Sequence, residues 1–147
     1  MNVFDKRNIV LNAEPANKQE AINLCGRVLL NNGYVKPLYL DDMISRENIV
    51  TTYIGNNVAI PHGLSNSASN IIHSGLSLIQ VPNGVEFGTS DDSKIAYIVI
   101  GIAGKDDGHM SMLETLAEVL TDMKKIEQLR RATSEVEIFN IFQEVSF

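Results

Sequence analysis

Ile95-Ala96-Tyr97-Ile98-Val99-Ile100-Gly101-Ile102-Ala103 is the longest apolar run in the chain. It falls far short of the ~20 residues that a membrane-spanning helix needs. Its composition, rich in β-branched residues, suits a strand, and a strand apolar at every position must be covered on both faces. Helices are therefore expected on both sides of a sheet that has this run inside it. Downstream, Asp106-Asp107-Gly108 precedes a helix whose Leu113, Leu116, Ala117 and Leu120 recur at i, i+3, i+4 and i+7. Two further helical pieces follow at about 124–131 and 134–144, the second with Ser134 and Glu137 as a capping box. Upstream, a strand at 75–81 ends on the turn signal Pro82-Asn83-Gly84, and another is expected over 49–60. Before these, Asn17 and Glu20 form a variant capping box opening a helix over 18–32. Ala21, Leu24, Cys25, Val28 and Leu29 lie on one face of it, and Asn32-Gly33 stops it. Pro37 suits the first turn of a second helix running to about 48, with Leu38, Met43 and Ile44 on its apolar side and Arg46 in its last turn. With the N-terminal segment as the remaining strand, the expectation is an α/β three-layer sandwich: a mixed, roughly five-stranded sheet with helices on both faces.

The 147 residues suit one domain, 1–147, with a full hydrophobic core. A net charge of −6 and the lack of any cluster of five or more Lys and Arg argue against a nucleic-acid partner. Met1 to Val10 carries Asp5, Lys6 and Arg7 and has no apolar block of the secretory type, so a cytoplasmic protein without membrane insertion is expected. The single cysteine, Cys25, permits neither an internal disulfide nor a thiolate cage. The three histidines have no metal-ligand spacing and no HExxH pattern occurs, so no metal is expected. The segment from Gly101 to Asp106 superficially resembles a phosphate-binding loop. However, Val99 stands where the earlier glycine is required and Asp106 where Ser or Thr is required, so neither direct ATP use nor a cofactor is expected.

Chemistry concentrates at Asn56-Asn57-Val58-Ala59-Ile60-Pro61-His62-Gly63. Pro61 restricts Ile60 to extended geometry, and Gly63 is expected to take a φ that other residues avoid, which would display His62 on a turn at the rim of the sheet. A neutral imidazole whose other N–H is held by a partner is a nucleophile near pH 7. A phosphoryl group on it would need donors, and Gly63 and Leu64 N–H, Ser65, Ser67, Ser69 and Arg46 are at hand. The alternative for His62 is a plain turn histidine. His109, at the first turn of the helix after Asp106-Asp107, is either a solvated cap or a neutral N–H donor disfavoured as imidazolium by the positive end of the helix dipole. Taken alone, Arg46 is an ordinary cation at a helix C-terminus. His73 reads as structural and Cys25 as a small core hydrophobe.

Ala59-Ile60-Pro61-His62-Gly63, preceded by Met43-Ile44-Ser45-Arg46-Glu47, closely resembles the enzyme IIA component of the mannitol and fructose class of the bacterial sugar phosphotransferase system. The resemblance extends through Leu11-Asn12-Ala13, Asn17-Lys18-Gln19-Glu20-Ala21-Ile22, Gly33-Tyr34-Val35, Thr52-Tyr53-Ile54-Gly55, Pro82 to Gly88 and His109, and it looks more like the mannitol branch. It implies a phosphotransferase that carries a phosphoryl group. His62 would take the group from the phosphocarrier HPr and hand it to a cysteine on the IIB component of a membrane permease, for uptake of mannitol or a related sugar or sugar alcohol. Arg46 would bind the phosphoryl oxygens and His109 would support the phosphohistidine. The rival reading is a regulatory IIA-like module whose phosphohistidine state controls a partner, and the presence of His109 favours transport over it. Leu64 departs from the family, where Thr is common, and Ser65-Asn66-Ser67 replaces charged residues; both bear on the local phosphate donors and on partner preference.

Overall fold

The computed structural model describes residues 2–105 and 108–143, and the side chains of all of these except 108–111. The apolar run forms a strand over its whole length, β5 (Ile95–Ala103), and pairs antiparallel with β4 (Gly75–Glu86). β4 pairs in parallel with β1 (Ile9–Val10) on its other side. β5 pairs in parallel with β3 (Val58–Ala59), which in turn pairs antiparallel with β2 (Tyr53–Gly55). The result is a mixed five-stranded sheet in the order β1-β4-β5-β3-β2, with β5 at its centre.

The two faces of β5 go to two separate packing layers. Ile98, Ile100 and Ile102 meet Leu116 and Val119 of α3 (Gly108–Leu120), Leu129 of α4 (Met123–Arg131) and Ile138 of α5 (Glu135–Gln143). Ala96, Val99 and Ala103 meet Ala21, Ile22 and Leu29 of α1 (Lys18–Asn31) and Met43 of α2 (Leu38–Ile49). Each of the three isoleucines is at most 1% exposed, and burial of such a side chain stabilises by about 2 kcal/mol. α1 comes close to the sheet at Gly101, where a Cβ would stand 2.7 Å from Cβ of Cys25. Cys25 is buried as the helix pattern implies, and burial pushes its thiol up to about 12.

The helix signals act as their chemistry suggests. The Asn17 side chain accepts from Glu20 N–H at 3.0 Å, and the Glu20 carboxylate accepts from Ala16 N–H at 2.7 Å. Gly33 follows α1 with φ +87°, the left-handed residue that ends a helix.

Three expectations are corrected. The run over 49–60 is not one strand: α2 continues to Ile49, and the rest folds into the β2–β3 hairpin. Asn56 and Asn57 make its turn at φ 54° and 63°, a left-handed pair that asparagine tolerates better than most residues do. Nor does Pro82-Asn83-Gly84 end the second strand, because β4 runs on to Glu86 with a register shift between Gln80 and Val85. The three residues form a bulge, where Pro82 owes no ladder hydrogen bond and Gly84 takes φ +83°. Leu38, expected on the apolar side of α2, is 62% exposed.

Candidate functional site

Pro61 and His62 extend β3 alongside β5: Ile102 N–H donates to the Pro61 carbonyl at 2.9 Å, and His62 bridges Ile102 in parallel. His62 is thus not on the turn, as expected, but on extended backbone just before it. It is only 9% exposed, and the turn itself is closed by Ser67 N–H donating to the Leu64 carbonyl at 3.0 Å. The His62 ring lies with Nδ1 2.7 Å from the Ile60 carbonyl oxygen. A carbonyl can only accept, so Nδ1 carries the hydrogen and the lone pair resides on Nε2. Burial lowers the His62 pKa below its ordinary value, opposed by the Ile60 carbonyl; the positive charge of Arg46 lowers it further and Glu47 raises it. The ring is therefore neutral at pH 7.

Beside His62 is a recess of about 110 Å³ lined by Tyr39, Gly63, Leu64, Ser65 and Gly104. Gly63 is required there for space and not for conformation. Its φ lies outside the left-handed region, but a Cβ would stand 2.5 Å from Cε1 of Tyr39. The two backbone donors expected for a phosphoryl group are engaged within the protein. Gly63 N–H donates to Tyr39 Oη at 2.9 Å, and Leu64 N–H donates to Ser67 Oγ at 2.9 Å. Ser67 is buried, whereas Ser65 and Ser69 are exposed.

Arg46 stands in the last turn of α2 and donates from Nη1 to the Val50 carbonyl at 2.6 Å, which both satisfies the end of the helix and fixes the guanidinium within electrostatic reach of His62. His109 is the second residue of α3, at the helix N-terminus as expected, but its side chain lies outside the described residues, and so does its approach to His62.

The geometry is that of a buried, neutral imidazole with one nitrogen fixed as donor, and nearly the full length of the chain matches one family model. Residues 2–145 fit the model described as phosphoenolpyruvate-dependent sugar phosphotransferase system, EIIA 2. The chain belongs to this EIIA 2 family. It is 44% identical over 146 residues to the mannitol-specific phosphotransferase enzyme IIA component of Geobacillus stearothermophilus, covering 99% of each chain. It is 42% identical over 146 residues to the protein of the same name from Bacillus subtilis, covering 99% of this chain and 100% of that one. Among solved structures, it resembles the enzyme IIAMTL in a complex with phosphorylated enzyme IIBMTL from Escherichia coli. That match has a TM-score of 0.90, 35% identity, and covers 96% of this chain and 99% of that one. The crystal structure of IIA mannitol from the same organism matches with a TM-score of 0.87 and 36% identity, covering 94% and 97%.

In this EIIA 2 chain, two further residues at the site carry no sequence signal of chemistry. Glu47 is 3% exposed. Its Oε1 accepts from Thr52 N–H at 2.8 Å and Thr52 Oγ1 at 2.6 Å, and its Oε2 pairs with Lys18 Nζ at 3.3 Å. Tyr39 is 2% exposed; its hydroxyl accepts from the Gly63 N–H that follows His62 and donates to the Ile102 carbonyl of β5. The available clue was spacing: Tyr39, Met43 and Glu47 recur at i, i+4 and i+8, and this stripe is the buried face of α2. His73 takes no part; its side chain is exposed and its N–H donates to the Tyr34 carbonyl at 3.0 Å. Among the described residues no group of three or more His, Cys, Asp and Glu could hold a metal ion, and no helix is long and apolar enough to cross a membrane.

Proposed function

We propose that this chain, a phosphoryl-transfer component of the sugar phosphotransferase system, carries its phosphoryl group on Nε2 of His62. The observation that carries the reading is the 2.7 Å contact from Nδ1 to the Ile60 carbonyl, which leaves the nucleophilic lone pair on the other nitrogen. In loading, Nε2 attacks phosphorus on the phosphohistidine of HPr, the donor N–P bond breaks, and its electron pair stays on the donor imidazole. In unloading, a thiolate of a IIB component attacks the same phosphorus, an S–P bond forms, and the N–P bond returns its pair to Nε2. Such transfer asks the protein mainly for alignment and charge balance. Arg46 faces the phosphoryl oxygens in this reading, and His109 supports the phosphohistidine from the N-terminus of α3. The names of the relatives favour mannitol as the sugar, and their solved partner favours a IIB component as the acceptor. The chain acts as one IIA domain over 1–147 in the cytoplasm, where a net charge of −6 suits brief encounters with a basic donor surface.

Incubation with phosphoenolpyruvate, enzyme I and HPr is expected to add one acid-labile phosphoryl group per chain, and none in His62→Ala. Full labelling of His62→Ala overturns the assignment. In the same assay His109→Ala slows transfer to a mannitol-type IIB more than it slows loading, and unchanged rates in both steps remove His109 from the site.

A further inference from the structure

Regular parallel pairing gives each bridged residue two bonds across the ladder: the preceding carbonyl accepts and the following amide donates. At the His62–Ile102 bridge the first bond is direct, with Ile102 N–H donating to the Pro61 carbonyl at 2.9 Å. The second passes through a side chain. Tyr39 Oη accepts from Gly63 N–H at 2.9 Å and donates to the Ile102 carbonyl at 2.7 Å, so one hydroxyl serves both strands. The tyrosine ring lies against Gly63 so closely that a Cβ would fall 2.5 Å from Cε1 and 3.0 Å from Cζ. The hydroxyl thus stands between the backbone after His62 and β5, and Tyr39, Gly63 and Gly104 all line the recess of about 110 Å³ beside the imidazole.

We infer that Tyr39 is a positioning residue for phosphoryl transfer: its hydroxyl, inserted between Gly63 and Ile102, holds open the recess into which His62 receives the phosphoryl group. The inference rests on His62 being the phosphorylated residue. Tyr39 touches neither phosphorus nor leaving group; it acts through the Gly63 backbone. Without the hydroxyl, the Gly63 amide and the Ile102 carbonyl are complementary and close on each other, so both stay satisfied while the recess narrows. A purely structural tyrosine would show the reverse, a loss of stability with transfer intact.

The test is Tyr39→Phe in the full chain, with loading from phospho-HPr timed beside wild type and His62→Ala, and His62 ring nitrogens followed by ¹⁵N NMR. Loading slows about tenfold, equivalent to the ~1.4 kcal/mol of one decade in rate, the melting temperature stays within about 5 °C, and the His62 ¹⁵N shifts move. Unchanged loading overturns the inference, as does slower loading with unmoved His62 shifts and a large fall in melting temperature. Should the variant not fold, 3-fluorotyrosine at position 39 alone keeps the ring and makes the hydroxyl more acidic. With the hydroxyl still between Gly63 and Ile102, the Gly63 amide resonance shifts while loading stays within about twofold of wild type, and a roughly tenfold slower loading overturns the inference. Full loading of His62→Ala would instead condemn the assignment of His62, whatever Tyr39 does.

Discussion

In its proposed role His62 must keep a lone pair at the pH of the cell and still accept a dianionic group, and its surroundings act on both needs. Burial and the Arg46 charge hold the ring neutral, while Glu47 and the Ile60 carbonyl pull the other way. Arg46 disfavours imidazolium, and in the proposed role the same charge favours the phosphoryl oxygens after loading. Arg46→Ala is expected to raise the His62 pKa, observed as an upward shift of its midpoint in an NMR titration of the ring; a midpoint unmoved or lowered contradicts the placement of the guanidinium. Stability follows the same proton. Because the folded pKa lies below the ordinary 6.5, both states are neutral above that pH and the contribution of His62 is fully present. As pH falls below it the unfolded chain takes the proton first, so stability drops until the folded ring is protonated too. Urea midpoints of wild type and His62→Gln at pH 7.5 and 5.5 should show a smaller fall in the variant.

The second helix supplies the floor of the site through one stripe, and its most consequential member is a carboxylate. Glu47 takes both donors of Thr52 at 2.8 and 2.6 Å and pairs with Lys18 of α1 at 3.3 Å. That locks the start of the β2–β3 hairpin, and so the approach to Pro61-His62, onto α2. Glu47→Leu leaves the buried Thr52 donors unsatisfied and is expected to cost about 3 kcal/mol. Glu47→Gln keeps an acceptor for them and loses chiefly the partly exposed ion pair, about 1 kcal/mol. Denaturant midpoints order the three chains, and equal costs for the two variants would show that the Thr52 bonds are not the source. The sequence marked α1 by its capping box and α2 by Pro37, because those signals are local. The hairpin was also marked locally, by Gly55-Asn56-Asn57 between two apolar stretches, a turn signal that the expectation of one strand over 49–60 passed over. What the sequence hid is Glu47, because a buried carboxylate is recognisable only from the partners that other elements bring to it.

Across the whole molecule, the three layers were legible from β5, since an apolar strand of nine residues, too short for a membrane, requires cover on both faces. The PHG segment was legible as the candidate site, but its surroundings come from α2, β5 and the turn after it, and their meeting depends on tertiary packing that no local pattern encodes. The same holds for Gln80, a polar residue of β4 that is 0% exposed. Its Nε2 donates to the Leu129 carbonyl at 2.9 Å and the Ala132 carbonyl at 2.8 Å, and its Oε1 accepts from Asn12 N–H at 3.0 Å. One amide thus joins the end of α4, the segment after β1 and the sheet. Gln80 pairs with Ile98, whereas His62 bridges Ile102, so along β5 the two lie four residues apart, roughly 13 Å. Gln80→Leu should therefore cost about 2 kcal/mol by stranding its partners, read as a lower urea midpoint, while the folded variant loads His62 at the wild-type rate. A loading rate that falls together with stability would mean that the far end of the sheet and the phosphoryl site are mechanically one unit, and the division between scaffold and site would have to be redrawn.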